Sequence, residues 1–264
     1  LGTIAPLEED DRLYVEIDGG MCWVDDGWHE VKIATIFPKC GIAEVSKDRR
    51  ELLERVIVAT RGDREELGAL IFNVVARVLP CDVYGAPALD RVVVLGDGSD
   101  WIRNLVQDCL PTAMQILDWY HVAEYIADAA KAAYPTASRR KAWRTRQRNL
   151  LFEGRVEEML RGVLRLCMKQ TAGSDAHQAV AGLYKYLDNR RELLRYREAR
   201  AQDLYVGSGA IESTVNHMMQ VRMKRPGMRW CAAGADAMLA LRCAYRSTQG
   251  LERLFDSMRR AYAA

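Results

Sequence analysis

The stretch Tyr205-Val-Gly-Ser-Gly-Ala-Ile-Glu-Ser-Thr-Val-Asn-His-Met-Met-Gln-Val-Arg-Met-Lys-Arg-Pro-Gly-Met-Arg-Trp230 decides how the C-terminal part of this chain can fold. Its Gly/Ser turn makes Ser208 a good N-cap, and the helix that follows should run to about Lys224. Pro226-Gly227 should end it, because proline cannot continue a helix and glycine favours a turn. The stretch therefore predicts one helix between two turns.

This helix has an apolar face and a polar face. Ile211, Val215 and Met218 recur at spacings of four and three residues, so they should face a core. Glu212 and Asn216 lie one turn apart on a different face. A carboxylate in a first turn also complements the helix dipole, which would be a sufficient explanation of Glu212 alone. Two earlier acids make Glu212 a catalytic candidate, with Asn216 as a supporting residue.

The 264-residue chain is 49% hydrophobic, enough for one large domain or a core with an inserted domain. No window holds the roughly 18 uninterrupted apolar residues of a membrane span, and no signal peptide is found, so we expect a cytoplasmic protein without membrane contact. Because the chain begins at Leu1, we expect a fragment that lacks an N-terminal region. The seven cysteines show no C-x-x-C spacing, which argues against structural zinc.

The net charge of +2 conceals an asymmetry along the chain. Residues 1–120 carry 12 basic and 22 acidic residues, for a net charge of −10. Residues 121–205 carry 17 and 10, for +7, and residues 206–264 carry 9 and 4, for +5. An acidic half joined to a basic half suits a metal-binding core beside a nucleic-acid surface, although two ordinary solvated surfaces would give the same pattern.

Three strands are predicted near the N-terminus. Arg12–Asp18 alternates between polar and apolar residues and is closed by Gly19-Gly20. Trp28–Phe37 is the second strand, and the Asp25-Asp26-Gly27 turn between them predicts a hairpin. Arg55–Thr60 is the third strand.

Helices and strands alternate in the next segment. Residues 63–79 have the spacing of an amphipathic helix. Arg91–Asp97 is nearly all apolar, as expected of a central parallel strand, and Ser99 or Asp100 can cap the helix after it. Ala113–Asp118 is a short buried strand that precedes another helix.

Only helical spacing is found between residues 134 and 202, which predicts an all-helical insertion. Two closing helices are expected near the C-terminus. The predicted organisation is a tail or linker, the first part of a core, the insertion and the C-terminal helices of the core: residues 1–11, 12–133, 134–205 and 206–264.

This order is compatible with an α/β fold built on an RNase H-like mixed sheet. In that fold the first and fourth strands lie side by side, so their ends would bring Asp18 and Asp97 together. Two close carboxylates repel unless a cation lies between them, and hard oxygen ligands select Mg²⁺ or Mn²⁺. Glu212, after the insertion, would complete a site for two metal ions.

Each acid also has an ordinary structural explanation. Asp18 precedes two glycines and Asp97 lies between two, so both could be turn residues. Asp100 competes with Asp97 but falls where a helix cap is expected. Glu16 is the alternative to Asp18, because it lies on the same side of the strand.

The motif Asp118-Trp-Tyr-His121 is a second candidate. An acid that ends a strand and a histidine three residues later can both face the site. His121 is equally explained as a core or surface histidine with local hydrogen bonds.

Four segments together resemble bacterial insertion-sequence transposases of the DDE class: Leu95-Gly-Asp-Gly-Ser-Asp-Trp-Ile102, Asp118-Trp-Tyr-His121, Gly207-Ser-Gly-Ala-Ile-Glu212 and Arg222-Met-Lys-Arg-Pro-Gly-Met-Arg-Trp230. The resemblance is to the ISKra group and its ISL-type relatives, whose cores are similar to those of the hAT and Mutator transposases. It covers essentially the chain from Tyr14 to Arg242.

The resemblance implies three catalytic acids that hold two Mg²⁺ or Mn²⁺ ions: Asp18, Asp97 and Glu212. Asp118 and His121 match the family's C/D-x-x-H motif in its Asp form. The helical segment between the second and third acids resembles the all-α insertion of these enzymes. Such proteins usually carry an N-terminal DNA-binding region, which we expect to be missing here.

Two basic groups are candidates for DNA binding. The first can meet several phosphates from one helix, with an affinity that falls as salt rises; its members are Arg139, Arg140, Lys141, Arg144, Arg146 and Arg148. Trp143 within it either stacks on an unpaired base or anchors the insertion. The second follows the Glu212 helix and is either near the scissile phosphate or a solvated helix end; its members are Arg222, Lys224, Arg225 and Arg229.

These features predict the catalytic domain of a bacterial DDE transposase that cuts DNA at transposon ends and joins the 3′-OH to target DNA. We expect it to act on transposon-end and target DNA as a homodimer or a higher synaptic assembly. Two alternatives stay open: an RNase H-like nuclease that cuts without joining, and a domesticated, inactive DNA-binding protein.

Overall fold

The computed structural model describes residues 2–8, 10–25, 27–46 and 49–263. The chain divides into two compact units. Unit 1 comprises Leu1–Met114 and Gly209–Ala264, and unit 2 comprises Gln115–Ser208. The predicted insertion began at residue 134, whereas unit 2 also includes residues 115–133, because the helix that they form packs on the other helices of this unit.

The described residues form seven strands: β1 (Leu13–Val24), β2 (Gly27–Pro38), β3 (Ile42–Ser46), β4 (Arg49–Leu52), β5 (Val56–Thr60), β6 (Val92–Gly96) and β7 (Met114–Leu117). Five of them form one mixed sheet in the order β5-β2-β1-β6-β7. β1 pairs antiparallel with β2 and parallel with β6, and β2 pairs antiparallel with β5. The protein is therefore a mixed α/β protein with a sheet of three antiparallel strands extended by later strands.

Ten α-helices are found in the described part of the chain: α1 (Arg64–Val78), α2 (Asp100–Cys109), α3 (Trp119–Ala133), α4 (Ala137–Phe152), α5 (Val156–Cys167), α6 (Asp175–Asp188), α7 (Tyr196–Ala201), α8 (Gly209–Val215), α9 (Ala232–Arg246) and α10 (Gly250–Ala263). A π-helix, Asn216–Met223, continues directly from α8. Within the described residues, no helix has both the length and the apolar content needed to cross a membrane.

The first two strands are longer than the sequence predicts. β1 does not end at Gly19-Gly20 but continues to Val24, paired with β2 throughout. A Cβ at Gly20 would lie 2.6 Å from Met219 Cγ. Gly20 therefore does not end the strand; its missing side chain leaves space for the helix layer that packs on β1. Asp25 has the positive φ, 55°, that a tight hairpin turn uses, while Asp26 of the predicted turn lies outside the described residues.

Two apolar cores lie on opposite faces of the sheet. One is formed with α1 and α2 and includes Val15 and Ile71. The other is formed with α8, the π-helix and α9 and includes Ile33, Met219 and Leu239. Alternate residues of β1 therefore face different helix layers, and its even-numbered residues face α8.

Residues 2–8 are not the linker that the sequence predicts. Ile4 and Leu7 are buried in the core beside α1 and α2, and the Leu7 amide donates to the carbonyl of Val78 at 2.8 Å. The acidic residues around them suggested a solvated segment, but two apolar side chains are enough to hold it on the core. A second difference is the β3–β4 hairpin, which was not predicted because its charged sequence has no apolar alternation.

Unit 2 is mainly helical, and its first residues, 115–117, belong to β7. Residues 134–205 contain α4 to α7 and no strand, which confirms the helical prediction for this segment. Trp119 of α3 packs edge-on against Phe152 and Tyr196, whose rings stack on each other at 5.3 Å. Aromatic residues from three helices thus form a common apolar centre for the unit.

The predicted helix from Ser208 to Lys224 is an α-helix followed directly by a π-helix. Its first part is α8, and its second part is the π-helix, with Met218, Met219 and Met223 buried. The wider turn changes the phase of the side chains, so that three methionines reach one core. Sequence spacing assumes 3.6 residues per turn and could not anticipate this change.

Leu7→Ala tests the packing of the N-terminal segment. Because Leu7 is only 9% exposed, we expect the free energy of unfolding to fall by about 2–3 kcal/mol. Urea denaturation followed by tryptophan fluorescence measures this change. Leu53→Ala is the matched control, since Leu53 is 67% exposed and should cost less than about 0.5 kcal/mol. Equal stability of the two variants would show that the segment is only loosely attached.

Candidate functional site

Asp18 and Asp97 lie where the parallel pairing of β1 with β6 ends. The pairing of β1 with β6 extends in register to Glu16, and two further residues bring Asp18 opposite Asp97. The strands stay close there, since a Cβ at Gly96 would lie 3.2 Å from the carbonyl oxygen of Ile17. Neighbouring strands are about 4.8 Å apart, so the two carboxylates are on one face within reach of each other.

Backbone amides fix one oxygen of each carboxylate. Asp18 Oδ1 accepts from the amide of Gly19 at 2.7 Å, and Asp97 Oδ1 accepts from the amide of Ser99 at 2.8 Å. Both acids therefore make the local hydrogen bonds that a turn aspartate would make. The turn explanation and a functional role are compatible, because each carboxylate is oriented by its own backbone.

Glu16 holds α8 against the sheet. It is 3% exposed, and its carboxylate accepts from the amide of Ile211 at 2.7 Å, in the first turn of α8. A carboxylate at a helix N-terminus complements the partial positive charge there. On the neighbouring strand, Thr35 donates to Thr214 at 3.0 Å. Glu16, the alternative to Asp18, is thus a positioning residue that places the start of α8 on the face of Asp18.

Glu212 follows Ile211 in the first turn of α8 and is exposed, as is Asn216 one turn later. Among the described residues, no three His, Cys, Asp or Glu side chains are gathered into a cluster that could hold a metal ion. The strand register thus brings Asp18 opposite Asp97, while Glu212, the predicted third ligand, is exposed on the helix that packs on the same face of the sheet.

The donors around the acid pair fit a hard cation. The oxygens of Asp18 and Asp97 are the type of ligand that Mg²⁺ and Mn²⁺ prefer. Ser99, whose amide binds Asp97, has a buried Oγ without a hydrogen-bond partner in the part of the chain that the structure describes. A buried hydroxyl without a partner is costly, so a bound water, ion or phosphate oxygen would satisfy it. Sequence analysis considered Ser99 only as a cap.

Asp118 is a structural residue of unit 2. It is fully buried and caps α3 by accepting from the amides of Tyr120 and His121. It also accepts from the Ser208 amide at 2.8 Å, and its Oδ2 lies 2.7 Å from His121 Nδ1. Burial alone would raise the pKa of Asp118, but the hydrogen bonds from His121 and Ser208 outweigh it, and the pKa is lowered. Asp118 is therefore held by hydrogen bonds within unit 2, and its supporting role at the site stays a prediction.

The first basic group lies on α4. Arg139, Lys141, Arg144, Arg146 and Arg148 are exposed, which is the placement expected of a phosphate-binding helix. Arg140 is half-buried, and its guanidinium donates hydrogen bonds to the carbonyls of Tyr134 and Pro135 within unit 2. Trp143 is half-buried with its ring 6.0 Å from that of Tyr134, which favours the anchoring explanation over base stacking.

A groove of about 510 Å³ lies beside α4 within unit 2. Its basic wall consists of Arg140, Lys141, Arg144 and Arg148, and its apolar wall consists of Trp119, Ala123 and Ile126. No acidic residue lines it among the residues described. This composition suits an anion with an apolar neighbour.

The second basic group lies at the end of the π-helix and in the segment that leads from it to Trp230. The amide of Trp230 donates to the carbonyl of Trp23 at 3.1 Å, and the segment that carries this group packs at the tip of the β1–β2 hairpin. Val24, at that tip, is six residues beyond Asp18, which is about 20 Å along a strand. Placement beside the scissile phosphate stays a prediction, and the π-helix and the turn after it carry the chain along β1 towards the hairpin tip.

A family model described as "Uncharacterised protein family (UPF0236)" matches residues 10–256. Since this match covers nearly the whole chain, the protein belongs to that family. A search of curated proteins gives no match. The family description names no activity, so function is argued from the site.

Asp118 gives unit 2 a pH-dependent stability. Because its pKa in the folded protein is below the ordinary value of 3.8, its contribution is complete above about pH 5 and is lost as pH falls through the folded-state pKa. Asp118→Asn should lower the free energy of unfolding at pH 7 by about 1.5–3 kcal/mol and should lose less stability on acidification than wild type. Urea denaturation at pH 7, 5 and 3 measures both effects.

Asp128→Asn, an exposed change on the same helix, is the control and should follow wild type at each pH. If Asp118→Asn lost as much stability between pH 5 and pH 3 as wild type, the lowered pKa would have to be rejected.

Proposed function

We propose that this member of the UPF0236 family is the catalytic domain of a DDE-class DNA transposase with an RNase H-like core. The observation that carries the proposal is the parallel register of β1 and β6, which, continued by two residues beyond Glu16 and Leu95, brings Asp18 opposite Asp97. Glu212 supplies the third acid from the helix that Glu16 holds on the same face. An acidic pair of this kind has little structural value, because like charges at short distance repel.

The sheet supports the proposed core. Three antiparallel strands come first in the chain, and a later strand joins the first one in parallel. Helix layers cover both faces, and the helical unit enters the chain between the second and third acids. The resemblance of the chain to insertion-sequence transposases implies the same order of elements.

Asp18 and Asp97 would hold Mg²⁺ or Mn²⁺ together with Glu212. Two such ions supply activation of an attacking oxygen and stabilisation of the leaving oxygen in phosphoryl transfer. Glu16 would keep the first turn of α8, and with it Glu212, on the face of the paired acids. The Ser99 hydroxyl would donate to a water or phosphate oxygen in the site, because it is buried there without a partner among the described residues.

DNA would be held through phosphate contacts. α4 presents Arg144 and Arg148 on the wall of a groove that also has an apolar side. Arg and Lys side chains bind phosphates without sequence preference. These contacts would hold the DNA but would not recognise the sequence of the transposon ends. We propose DNA as the partner and a homodimer or higher synaptic assembly as the working form.

The tests also distinguish two alternative functions from transposition. A nuclease that cuts without joining would nick DNA but fail a strand-transfer assay with pre-cleaved ends. An inactive DNA-binding protein would bind DNA and show no Mg²⁺-dependent nicking. The exposed position of Glu212, apart from the acid pair, is the observation that keeps the inactive form in consideration.

Glu212→Gln separates chemistry from binding. The change keeps the size of the side chain and removes one negative charge, so DNA affinity should stay within about twofold while Mg²⁺-dependent nicking falls by at least about 100-fold. Gel-shift titration and a nicking assay on the same duplex measure the two properties. Glu252→Gln on exposed α10 is the control and should nick normally. Robust nicking by Glu212→Gln would remove this residue from the site.

Arg144→Ala with Arg148→Ala tests the basic helix. Loss of two phosphate contacts should weaken duplex binding and reduce the slope of log K against log salt by about 2. Arg161→Ala with Arg165→Ala is the matched control, since it removes two exposed arginines from α5 of the same unit. A salt slope equal to that of wild type in the α4 variant would show that this helix does not contact DNA.

A further inference from the structure

We infer that the tip of the β1–β2 hairpin carries a second site for the DNA backbone, separate from the carboxylates, that anchors the duplex flanking the cleavage position. The inference rests on the proposed function for the position of the cleaved phosphate. The site, named here the hairpin-tip patch, consists of Trp23, Trp28, Arg222, Lys224, Arg229 and Trp230.

Three indole rings form the base of the patch. Trp23 and Trp28 face each other across the hairpin with their rings edge-to-face at 5.6 Å. Trp230 is joined to the same strand through its backbone and donates its indole N–H to the carbonyl of Met223 at 3.0 Å. Trp28 is nonetheless 53% exposed, which is a large apolar surface for a residue in a hairpin. Such a surface indicates a contact with another molecule.

Each ring of the patch carries a cation. Arg229 lies over Trp23 at 5.6 Å and Lys224 lies over Trp28 at 5.4 Å. Arg222 lies over Trp230 at 5.5 Å. Contact with the ring face holds each charged group in place without neutralising it.

None of the three cations forms an ion pair within the described part of the chain, whereas Arg61 nearby is paired with Asp236 at 2.7 Å. Lys224 and Arg229 are exposed, and Asp25 is an exposed acid at the same tip. Three cations fixed on aromatic faces, two of them exposed, favour an anionic ligand with several charges, because each charge is already ordered.

The backbone of the patch is built to keep this arrangement. Arg225-Pro226-Gly227-Met228 forms a turn closed by the Met228 amide and the Arg225 carbonyl at 3.0 Å. Gly227 has φ 79°, and proline before such a glycine is typical of a type II turn. This turn reverses the chain after the π-helix and returns Arg229 and Trp230 to the hairpin. The motif that ended the predicted helix therefore positions the patch.

The distance along β1 selects duplex DNA as the ligand. Val24 at the tip is about 20 Å from Asp18 along the strand, and duplex DNA rises 3.4 Å per base pair. A duplex that places a phosphate at the acid pair and follows β1 would reach the patch after about six base pairs. The cations would then contact phosphates, while the exposed face of Trp28 would pack on deoxyribose.

The test is Lys224→Gln with Arg229→Gln, which removes two charges and keeps two polar, flexible side chains. Fluorescence anisotropy with a 30-base-pair duplex (about 100 Å, long enough to span both sites) is measured at several salt concentrations. We expect the slope of log K against log salt to fall by about 2 and affinity to drop roughly 10- to 100-fold at 0.1 M salt. Arg253→Gln with Arg260→Gln, two exposed arginines of α10, is the control and should change neither.

DNA binding and DNA nicking are measured separately, so that failure of the patch and failure of the proposed function can be distinguished. An unchanged salt slope in the Lys224/Arg229 variant overturns the patch even if wild type nicks DNA. A reduced slope supports the patch as a DNA-backbone site even if wild type does not nick, in which case the proposed function fails alone. Loss of binding to anionic phospholipid vesicles, with DNA binding intact, would assign the patch to a membrane surface and overturn the inference.

Shortened substrates test the separation from the acids. Once the nick is mapped on the long duplex, substrates are prepared that end three or ten base pairs from it on either side. The variant should nick the substrate with the longer flank more slowly than wild type does, because this flank reaches the patch. It should nick the substrate with the shorter flank at the wild-type rate. Slower nicking of both would place these residues at the acid pair and refute a separate anchor.

Discussion

The hydrogen bond from the Ile211 amide to the buried carboxylate of Glu16 joins parts of the chain that are 195 residues apart. It is the constraint on which unit 1 depends, since the helical unit lies between its two partners in sequence. A buried carboxylate needs a donor, and a helix N-terminus needs an acceptor, so each satisfies the other. The position of α8 then determines where the π-helix lies, which face of β1 it covers, and why Gly20 must lack a side chain beneath Met219.

Much of the fold was predictable because its signals are local. The alternation in β1 and β2, the apolar run of β6 and the N-cap of α1 at Asp63 each depend on a few adjacent residues, and each is present. The length of β1 was not predictable, because Gly19-Gly20 has the composition of a turn and only the helix layer above it explains its place in a strand. The π-helix was missed for a related reason: methionine spacing changes when three side chains must reach one core.

The candidate site was predictable only in part. The pairing of Asp18 with Asp97 follows from strand order, and the register supports it. Glu16 and Ser99 acquire their roles from partners distant in sequence or from the lack of a partner in the described structure, so local spacing could identify neither. One signal was available for Glu16, since a charged residue inside an otherwise buried strand needs a specific partner. The capping role of Asp118 was not anticipated, because a strand-end acid and a helix cap look alike in sequence.

Asp18 lies midway along β1, and the basic residues of the patch lie near its end. This separation has a physical reason if the acids hold divalent cations. A carboxylate pair binds a cation through its negative potential, and guanidinium groups within a few ångströms would reduce that potential. Val24, at the hairpin tip, lies about 20 Å along β1 from Asp18, which exceeds the Debye length of about 8 Å at physiological salt, so charges at the tip are largely screened from the acids. The π-helix and the Pro226-Gly227 turn carry the basic residues over that distance. The same segment that begins with an acid for a metal can thus end with cations for phosphates without the two working against each other.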